Sequence, residues 1–203
     1  MTRSTSTGNR WADHYTRKAK EDGYAARSVY KLEEIQARHR ILRPGDRVLD
    51  LGCAPGSWLV FAARIVSPRG SVVGIDLKPV TIALPATVRT LVADLRDPEA
   101  ALGQGGPEGF DVVLSDMAPS TTGNRTTDAA RSFDLAMSAL AVARTRLKAG
   151  GRFVCKIFQG PDTKTFEAAV RRLFEETRLF KPQSSRKTSK EIFVIGKGKR
   201  QEE

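Results

Sequence analysis

The feature that most constrains the fold is an alternation of short apolar runs with longer helical or loop segments. The runs are rich in Val, Leu and Ile: "RVLDLG" (47–52), "SVVGIDL" (71–77), "VRTLVAD" (88–94), "FDVVLSD" (110–116) and "RFVCKIF" (152–158). Such runs are typical of strands buried on both faces, and their alternation with helices predicts βαβ units. We therefore expect an α/β fold with a mostly parallel sheet and helices on both faces.

Helical periodicity fills several of the intervening segments. The predicted helices cover 27–40, about 57–67, about 128–147 with Gly150 as its stop, and 163–177. The last part, "TRLFKPQSSRKTSKEIFVIGKG", holds two apolar runs joined by a serine-rich loop, which predicts a terminal pair of strands. We predict a flexible insertion at 98–110 and a frayed tail at about 198–203.

The length and composition are those of one globular domain. With 203 residues, 40% hydrophobic and 28% charged, we expect a single domain over 1–203 with a basic N-terminal extension at about 1–23. The polar N-terminus lacks the apolar core of a signal peptide, and no apolar run could span a bilayer, so we expect a cytoplasmic protein without a membrane partner. The cysteines and histidines lack ligand spacing, so we predict no disulfide and no metal site.

Positive charge is concentrated at the two ends of the chain. Residues 1–47 hold 11 Lys/Arg against 6 Asp/Glu and residues 178–200 hold 8 against 1, whereas 48–177 are nearly balanced at 15 against 14. The charge could serve solubility alone. Two basic flanks around a neutral core nevertheless favour a polyanion such as RNA or DNA as the partner.

The residues that follow the strands are candidates for ligand binding, because ligands bind beyond the carboxyl ends of strands in a doubly wound sheet. Gly52 and Gly56 of "DLGCAPGSW" follow the first strand, where they permit a tight turn that a ligand can approach. Asp76 ends the second strand and can accept hydrogen bonds from both hydroxyls of a ribose. Asp94 ends the third strand, placed to accept from an adenine amino group, and Asp116 ends the fourth.

Two cofactors offer an adenosine ribose to such a site: a nicotinamide dinucleotide and S-adenosylmethionine. A dinucleotide loop requires G-x-G-x-x-G against a pyrophosphate, whereas "CAP" follows Gly52 here. Acidic groups at three strand ends would attract the cationic sulfonium and ammonium of S-adenosylmethionine, and would do little for a pyrophosphate. The sequence therefore favours S-adenosylmethionine.

A lysine interrupts the fifth apolar run. Lys156 lies within "RFVCKIFQG", where a buried charge is costly. It could lie near the end of the strand and extend its ammonium group to water, or it could face the ligand crevice. The strand alone leaves both readings open.

Five segments together carry a family resemblance over about residues 10–197. "RSVYKLEEI", "DLGCAPGSW", "SDMAPSTTGN", "VCKIFQG" and "SSRKTSKEIFVIG" resemble, in order and interval, the FtsJ-like (RrmJ-like) 2′-O-ribose RNA methyltransferases. Bacterial members that methylate a uridine ribose in the A loop of 23S rRNA are the most similar. Ser57 departs from their pattern, which has a second glycine there, and "SVYKL" replaces a more aromatic run.

The resemblance implies a Rossmann-like class I S-adenosylmethionine-dependent methyltransferase fold with a seven-stranded sheet. It implies a catalytic K-D-K-E tetrad of Lys31, Asp116, Lys156 and Glu191. It also implies a cofactor site formed by Gly52, Gly56, Trp58, Asp76, Asp94 and Asp116, in which Gly56 and Trp58 contact the cofactor largely through their backbone. Packing in the core is an equal alternative for the Trp58 side chain.

The implied partner is 23S rRNA, within the 50S subunit or a late precursor, bound by a monomer. RNA would lie across the face that bears Lys31 and Lys156. The candidates for phosphate contacts are Arg10, Arg17, Lys18, Lys20, Arg27, Arg186, Lys187 and Lys190. A lysine beside the attacking hydroxyl acts as a general base if neutral, or stabilises the developing alkoxide if charged, and the sequence leaves this open.

Two other functions share parts of this pattern. A dinucleotide-dependent oxidoreductase would explain the sheet and the acid at the second strand, but neither the basic ends nor the two lysines. A non-catalytic RNA-binding protein on the same scaffold would make the tetrad a coincidence. Titration with S-adenosylmethionine and NAD separates the first alternative, and methyl transfer to RNA separates the second.

Overall fold

The computed structural model describes residues 7–94, 109–186 and 188–201. Within them seven strands form one sheet in the order β3-β2-β1-β4-β5-β7-β6. The strands are β1 (Arg47–Leu51), β2 (Ser71–Asp76), β3 (Val88–Val92), β4 (Phe110–Ser115), β5 (Leu147–Phe158), β6 (Phe174–Phe180) and β7 (Glu191–Lys199). The first five strands pair in parallel, and β7 lies antiparallel between β5 and β6. This confirms the predicted mostly parallel sheet and the terminal pair of strands.

Helices cover both faces of the sheet, as predicted. They are α1 (Thr7–Glu21), α2 (Val29–His39), α3 (Ser57–Val66), α4 (Arg125–Arg146) and α5 (Thr163–Leu173). Alternate residues of each strand enter different cores: Leu49 and Leu51 belong to the cluster packed by α4 and α5, whereas Val48 belongs to the cluster packed by α2 and α3. The alternation follows from the two-residue period of strand side chains.

The long helix is shifted relative to its prediction of 128–147. It begins at Arg125, because the Asn124 side chain accepts hydrogen bonds from the N–H groups of Thr126 and Thr127 and caps it. It ends at Arg146, and the "KAGG" segment belongs to β5. Gly150 is therefore not the helix stop. Its φ of +75° places it in the irregular start of β5, where the register with β4 shifts.

The end of the chain is more ordered than predicted. The helix expected over 163–177 ends at Leu173, because Phe174 enters β6 and stacks on Phe153 with ring centroids 5.7 Å apart. Strand β7 continues to Lys199, and the Arg200 N–H donates to the Leu173 carbonyl. The prediction of a frayed tail is therefore wrong for residues 198–200. Residues 202–203 and most of the predicted insertion at 98–110 lie outside the described residues.

The basic N-terminal extension contains helix α1, which the sequence did not predict. Its last turn packs on α2: Ala19 is buried beside Val29 and Tyr30, and the Tyr30 hydroxyl donates to Asp22 at 2.7 Å. In the described ranges, none of the helices is long and apolar enough to cross a membrane. Cys53 and Cys155 are both buried, and neither forms a disulfide.

Candidate active site

The predicted site residues meet where the strand order reverses. The chain runs outward from β1 to β3 on one side, and then returns to place β4 on the other side of β1. A crevice opens at such a switch point beyond the carboxyl ends of the strands. Gly52 follows β1 here and Asp116 follows β4, so residues far apart in sequence become neighbours.

The four tetrad residues form one chain of ion pairs. Lys156 Nζ lies 2.9 Å from Asp116 Oδ1 and donates a hydrogen bond of 2.6 Å to the Asp116 carbonyl. Lys31 Nζ lies 3.9 Å from the same Oδ1 and 2.9 Å from Glu191 Oε2. The Asp116 carboxylate thus lies between two ammonium groups, so the structure brings together all four residues that the sequence singled out.

Both lysines of this chain are largely shielded from water. The side chain of Lys156 is 6% exposed and that of Lys31 13% exposed. Charges at this depth interact more strongly than surface charges, because water screens them less. Lys156 therefore does not extend to bulk water, and the snorkelling alternative for this lysine is wrong.

A serine that the sequence analysis did not single out holds Glu191. Ser185 is 5% exposed, and its hydroxyl donates to Glu191 Oε1 at 2.6 Å while Lys31 occupies Oε2. Both carboxylate oxygens of Glu191 are therefore fixed. A serine in a polar loop carries no sequence signal for this role, apart from its place six residues before Glu191.

Helix α2 fixes the loop that carries this serine. Glu34 lies one turn after Lys31, and its two carboxylate oxygens accept hydrogen bonds from the Gln183 and Ser184 N–H groups at 2.6 and 2.8 Å. One helix thus supplies both a tetrad lysine and the anchor of the loop that orients the tetrad glutamate. Sequence reasoning missed Glu34, because an acidic residue on an amphipathic helix usually faces solvent.

A pocket of about 460 Å³ adjoins the tetrad on the side of β1, β2 and β4. Four of the predicted cofactor residues line it: Gly52, Asp76, Asp94 and Asp116. Leu77 also lines the pocket and is 67% exposed. The pocket is acidic and has room for a nucleoside-sized ligand, which fits a cofactor that carries positive charge.

Asp76 and Gly52 shape the floor of this pocket. The Ala54 and Lys78 N–H groups donate to the two carboxylate oxygens of Asp76 at 3.0 and 2.9 Å, which fixes its orientation and leaves lone pairs for ribose hydroxyls. Gly52 has φ +79°, and a Cβ there would lie 2.7 Å from Met117 Cγ. Only glycine fits this turn without strain.

The other two predicted cofactor residues do not line the pocket. Gly56 has φ +110°, and its missing Cβ makes room for Val80 and Ile82, so its observed role is to form the turn before α3. The Trp58 side chain is 3% exposed, packs against Phe193, and donates from Nε1 to the Ser28 carbonyl at 2.9 Å. Core packing is thus its side-chain role, and only its backbone remains for a cofactor contact.

A buried carboxyl lies beneath the pocket. Asp50 is 1% exposed, and neither of its oxygens has a hydrogen-bond partner among the described residues. Burial, together with the charges of Asp116 and Asp76, raises the pKa of Asp50 well above its usual value. Asp50 lies inside β1, one residue before the end of the strand.

The predicted phosphate-binding residues divide into two groups. Arg17 and Lys18 on α1 already pair with Glu21 at 3.6 Å and Asp22 at 2.9 Å. Arg27 interacts electrostatically with Arg186 and Glu191. Burial, followed by the charge of Arg186, lowers the pKa of Arg27. Positive charge therefore reaches the tetrad from the segment just before α2 and from the loop before β7.

In the described part of the chain, no side-chain contact joins the other four candidates to the tetrad. Lys20 and Lys190 are exposed. The Arg10 side chain and all of Lys187 lie outside the described residues.

Comparisons with known proteins agree with this geometry. The family model for FtsJ-like methyltransferase matches residues 24–199. The ribosomal RNA large subunit methyltransferase E of Desulforapulum autotrophicum is 54% identical over 192 residues, which cover 95% of each chain. The protein of the same name from Syntrophobacter fumaroxidans is 56% identical over 185 residues, which cover 91% of this chain and 94% of the relative.

Solved structures share the fold at lower identity. A ribosomal RNA methyltransferase from Plasmodium falciparum superposes with a TM-score of 0.79 at 24% identity, over 88% of this chain and 100% of the other. Fibrillarin from Aeropyrum pernix, solved with S-adenosyl-L-methionine bound, gives a TM-score of 0.62 at 20% identity, over 83% of this chain and 76% of the other. Both likenesses bear on the fold alone.

Proposed function

The chain belongs to the FtsJ-like methyltransferase family, and from this premise we propose that it methylates the 2′-hydroxyl of a ribose in ribosomal RNA, with Lys31, Asp116, Lys156 and Glu191 as its catalytic residues. The observation that carries the proposal is the chain of ion pairs in which Asp116 lies between Lys156 at 2.9 Å and Lys31 at 3.9 Å. This group adjoins an acidic pocket that suits S-adenosylmethionine.

The finer assignment concerns the RNA. We propose a uridine in the A loop of 23S rRNA as the target, reached within the 50S subunit or a late precursor, by a monomer in the cytoplasm. The names of the relatives, which are large-subunit rRNA methyltransferases at 54–56% identity over nearly the whole chain, support the subunit. The basic residues on both sides of the tetrad support an RNA partner.

The residues of the pocket fit the cofactor. We assign the ribose hydroxyls to Asp76, the adenine edge to Asp94, and the positively charged amino acid end to the region between Gly52 and Asp116. When bound, S-adenosylmethionine supplies a methyl carbon made electrophilic by its sulfonium. Asp50 adds a buried carboxyl with unpaired oxygens beneath this region, which increases the attraction for a cation whenever Asp50 is ionised.

The tetrad acts on the ribose hydroxyl. We assign contact with the 2′-oxygen to Lys156, because its ammonium group lies beside Asp116 towards the carboxyl end of β5. Asp116 orients it through both a carboxylate and a carbonyl oxygen, so few rotamers remain open to the lysine. Lys31 and Glu191 complete the hydrogen-bonding frame around the ribose, and a fixed frame of this kind stabilises charge as it develops on the oxygen.

The test is methyl transfer by a Lys156→Ala variant. Large ribosomal subunits from cells that lack the enzyme serve as acceptor, and labelled S-adenosylmethionine as donor. We expect the rate to fall by about 10²- to 10⁴-fold while cofactor affinity is kept. Lys148→Ala is the matched control, because Lys148 is a lysine of the same strand that pairs with Asp111 at 3.0 Å, away from the tetrad.

Transfer at the wild-type rate by Lys156→Ala would refute the catalytic assignment. Mass spectrometry of ribose-methylated nucleotides in 23S rRNA, from cells with and without the protein, tests the target. An unchanged A loop would refute the finer assignment and leave the methyltransferase activity standing.

A further inference from the structure

A second cleft adjoins the tetrad and has no part in the function described so far. It has a volume of about 190 Å³ and lies beyond the ends of β5 and β7. Phe158 and Gln159 line it from the end of β5, Thr188 and Lys190 from the loop before β7, and Arg125 from the first turn of α4. This space is large enough for one nucleobase with part of its sugar.

The register of the sheet ties this cleft to the tetrad. Phe158 follows Lys156 by two residues and pairs directly with Glu191 across the β5–β7 ladder. Residues two apart on a strand, and residues directly opposite across a ladder, share one face of the sheet. The Phe158 ring therefore lies on the same face as the two tetrad side chains. The cofactor pocket lies on the other side of the tetrad, over β1, β2 and β4.

The lining of the cleft combines the groups that bind a single-stranded nucleotide. Phe158 is half-buried and carries an aromatic ring, and Gln159 is exposed and carries both a donor and an acceptor. Arg125 and Lys190 are exposed cations that line the cleft from α4 and from the loop before β7. Single-stranded RNA is recognised in this way, by bases stacked on aromatic rings and hydrogen-bonded at their edges, with cations along the phosphates.

The one acidic residue of the cleft is occupied elsewhere. Asp128 Oδ1 accepts hydrogen bonds from the Thr122 N–H and hydroxyl at 2.8 and 2.9 Å, which ties down the loop before α4. The hydrogen bond from the Thr122 N–H, the largest of several causes, lowers the pKa of Asp128, so this carboxylate remains committed to the loop. It therefore does not turn the cleft into a site for a cation.

We propose that this cleft binds one nucleotide that neighbours the methylated ribose, with its base against Phe158 and its phosphate between Arg125 and Lys190. The inference rests on the proposed function, since it presumes an RNA ribose at the tetrad. This binding makes the enzyme specific. A target ribose reaches Lys156 when its neighbouring base can leave the helical stack, and it does not when that base is held in a duplex. Gln159 reads the edge of the base.

The test compares Phe158→Leu, Phe158→Tyr and Leu179→Ala with the wild type. Undermethylated large ribosomal subunits are the acceptor, and kcat and KM for the subunit are measured at saturating S-adenosylmethionine. Phe158→Leu keeps an apolar side chain and removes the aromatic face, so we expect KM to rise about 5-fold or more with kcat nearly unchanged. Phe158→Tyr restores the ring and should recover most of the affinity. Leu179→Ala removes an apolar side chain that is 47% exposed on β6 and should leave KM as it is.

The outcomes separate the two proposals. If the wild type methylates the subunits and Phe158→Leu has the same KM, the nucleotide cleft is refuted and the methyltransferase function stands. If Phe158→Leu lowers kcat and leaves KM unchanged, the residue supports the tetrad and binds no base, which also refutes the cleft. If the wild type transfers no methyl group to RNA, both proposals fail.

Discussion

Lys31 Nζ lies 2.9 Å from Glu191 Oε2, and 160 positions of sequence separate the two residues. The pair joins α2, near the start of the fold, to β7, its last strand. Their side chains are 13% and 11% exposed, so neither charge is well solvated by water. The tetrad is therefore complete only when both ends of the chain have packed on the sheet.

This burial predicts a strong dependence of each partner on the other. We expect Lys31→Met and Glu191→Gln each to lower the free energy of unfolding, because each leaves a shielded group without its partner. The double variant should lose less than the sum of the two, by about 1 kcal/mol or more. Urea unfolding of the four proteins measures this difference. Additive losses would mean that the pair seen in the structure is not formed in solution.

The Ser185 hydroxyl should matter for turnover and not for cofactor binding. Ser185→Ala removes the hydrogen bond to Glu191 Oε1, so the Glu191 carboxylate is held less firmly. We expect kcat to fall about 10-fold, which corresponds to an activation free energy higher by roughly 1.4 kcal/mol. S-adenosylmethionine affinity, measured by calorimetry, should not change.

Ser184 is the matched control for this substitution. It is also buried, but its hydroxyl has no hydrogen-bond partner within the described part of the chain. Ser184→Ala should therefore leave kcat and stability nearly as they are. Equal losses in both variants would indicate that the loop needs serine for packing and that Glu191 is not positioned by Ser185.

Sequence patterns predict the sheet well, and fixed motifs pick out the four tetrad residues that the structure brings together, because strand periodicity and motifs are local signals. They mislead at boundaries: "KAGG" looks like a helix stop, yet pairing with β4 draws it into β5. They also give no sign of Ser185, a serine in a polar loop six residues before Glu191, or of Glu34, whose contacts span about 150 residues. Trp58 illustrates the same limit, since only packing decides whether a motif side chain faces the ligand or the core.

Gly52 should be required by both the turn and the pocket. Gly52→Ala places a Cβ 2.7 Å from Met117 Cγ and 3.2 Å from its Cα, and forces alanine to φ +79°. We expect the free energy of unfolding to fall by more than about 1 kcal/mol. The Kd for S-adenosylmethionine should rise about 10-fold or more, because Met117 lines the cofactor pocket.

Gly23→Ala isolates the contribution of the backbone. Gly23 has φ +76° and nothing within 4 Å of an added Cβ, so alanine there carries the conformational strain without the clash. We expect thermal and urea unfolding to show a loss of about 1 kcal/mol with cofactor affinity unchanged. A Gly52→Ala protein with wild-type affinity would show that the cofactor does not approach this turn.

The buried Asp50 carboxyl should make stability fall as pH rises. Its pKa in the folded protein is raised above the unfolded value near 3.8, so the folded state holds more protons over the interval between the two. Stability is therefore lost from about pH 4 upward until Asp50 is ionised in both states. Asp50→Asn removes this titration, and its stability relative to the wild type should grow with pH by up to about 1.4 kcal/mol per unit across that interval.

Urea unfolding of both proteins at several pH values from 4 to 8 measures the Asp50 effect. The diagnostic quantity is the slope of the stability difference against pH. The constant part of that difference is not diagnostic, because an asparagine amide in the same buried position also lacks hydrogen-bond partners. A stability difference between the two proteins that stays constant over this range would show that Asp50 is solvated or paired in solution.

The basic loop before β7 should account for part of the salt dependence of RNA binding. Arg186 and Lys190 are exposed beside the tetrad, and each phosphate contact on single-stranded RNA contributes about 0.7 to the slope of log K against log salt. Replacing both residues with glutamine should flatten the slope by about 1.4. Arg171→Gln is the control, because Arg171 is on α5 and already pairs with Glu167 at 2.6 Å. If Arg171→Gln flattens the slope as much per removed charge as the double variant does, the net charge of +11 attracts RNA as a whole. The loop would then make no phosphate contact of its own.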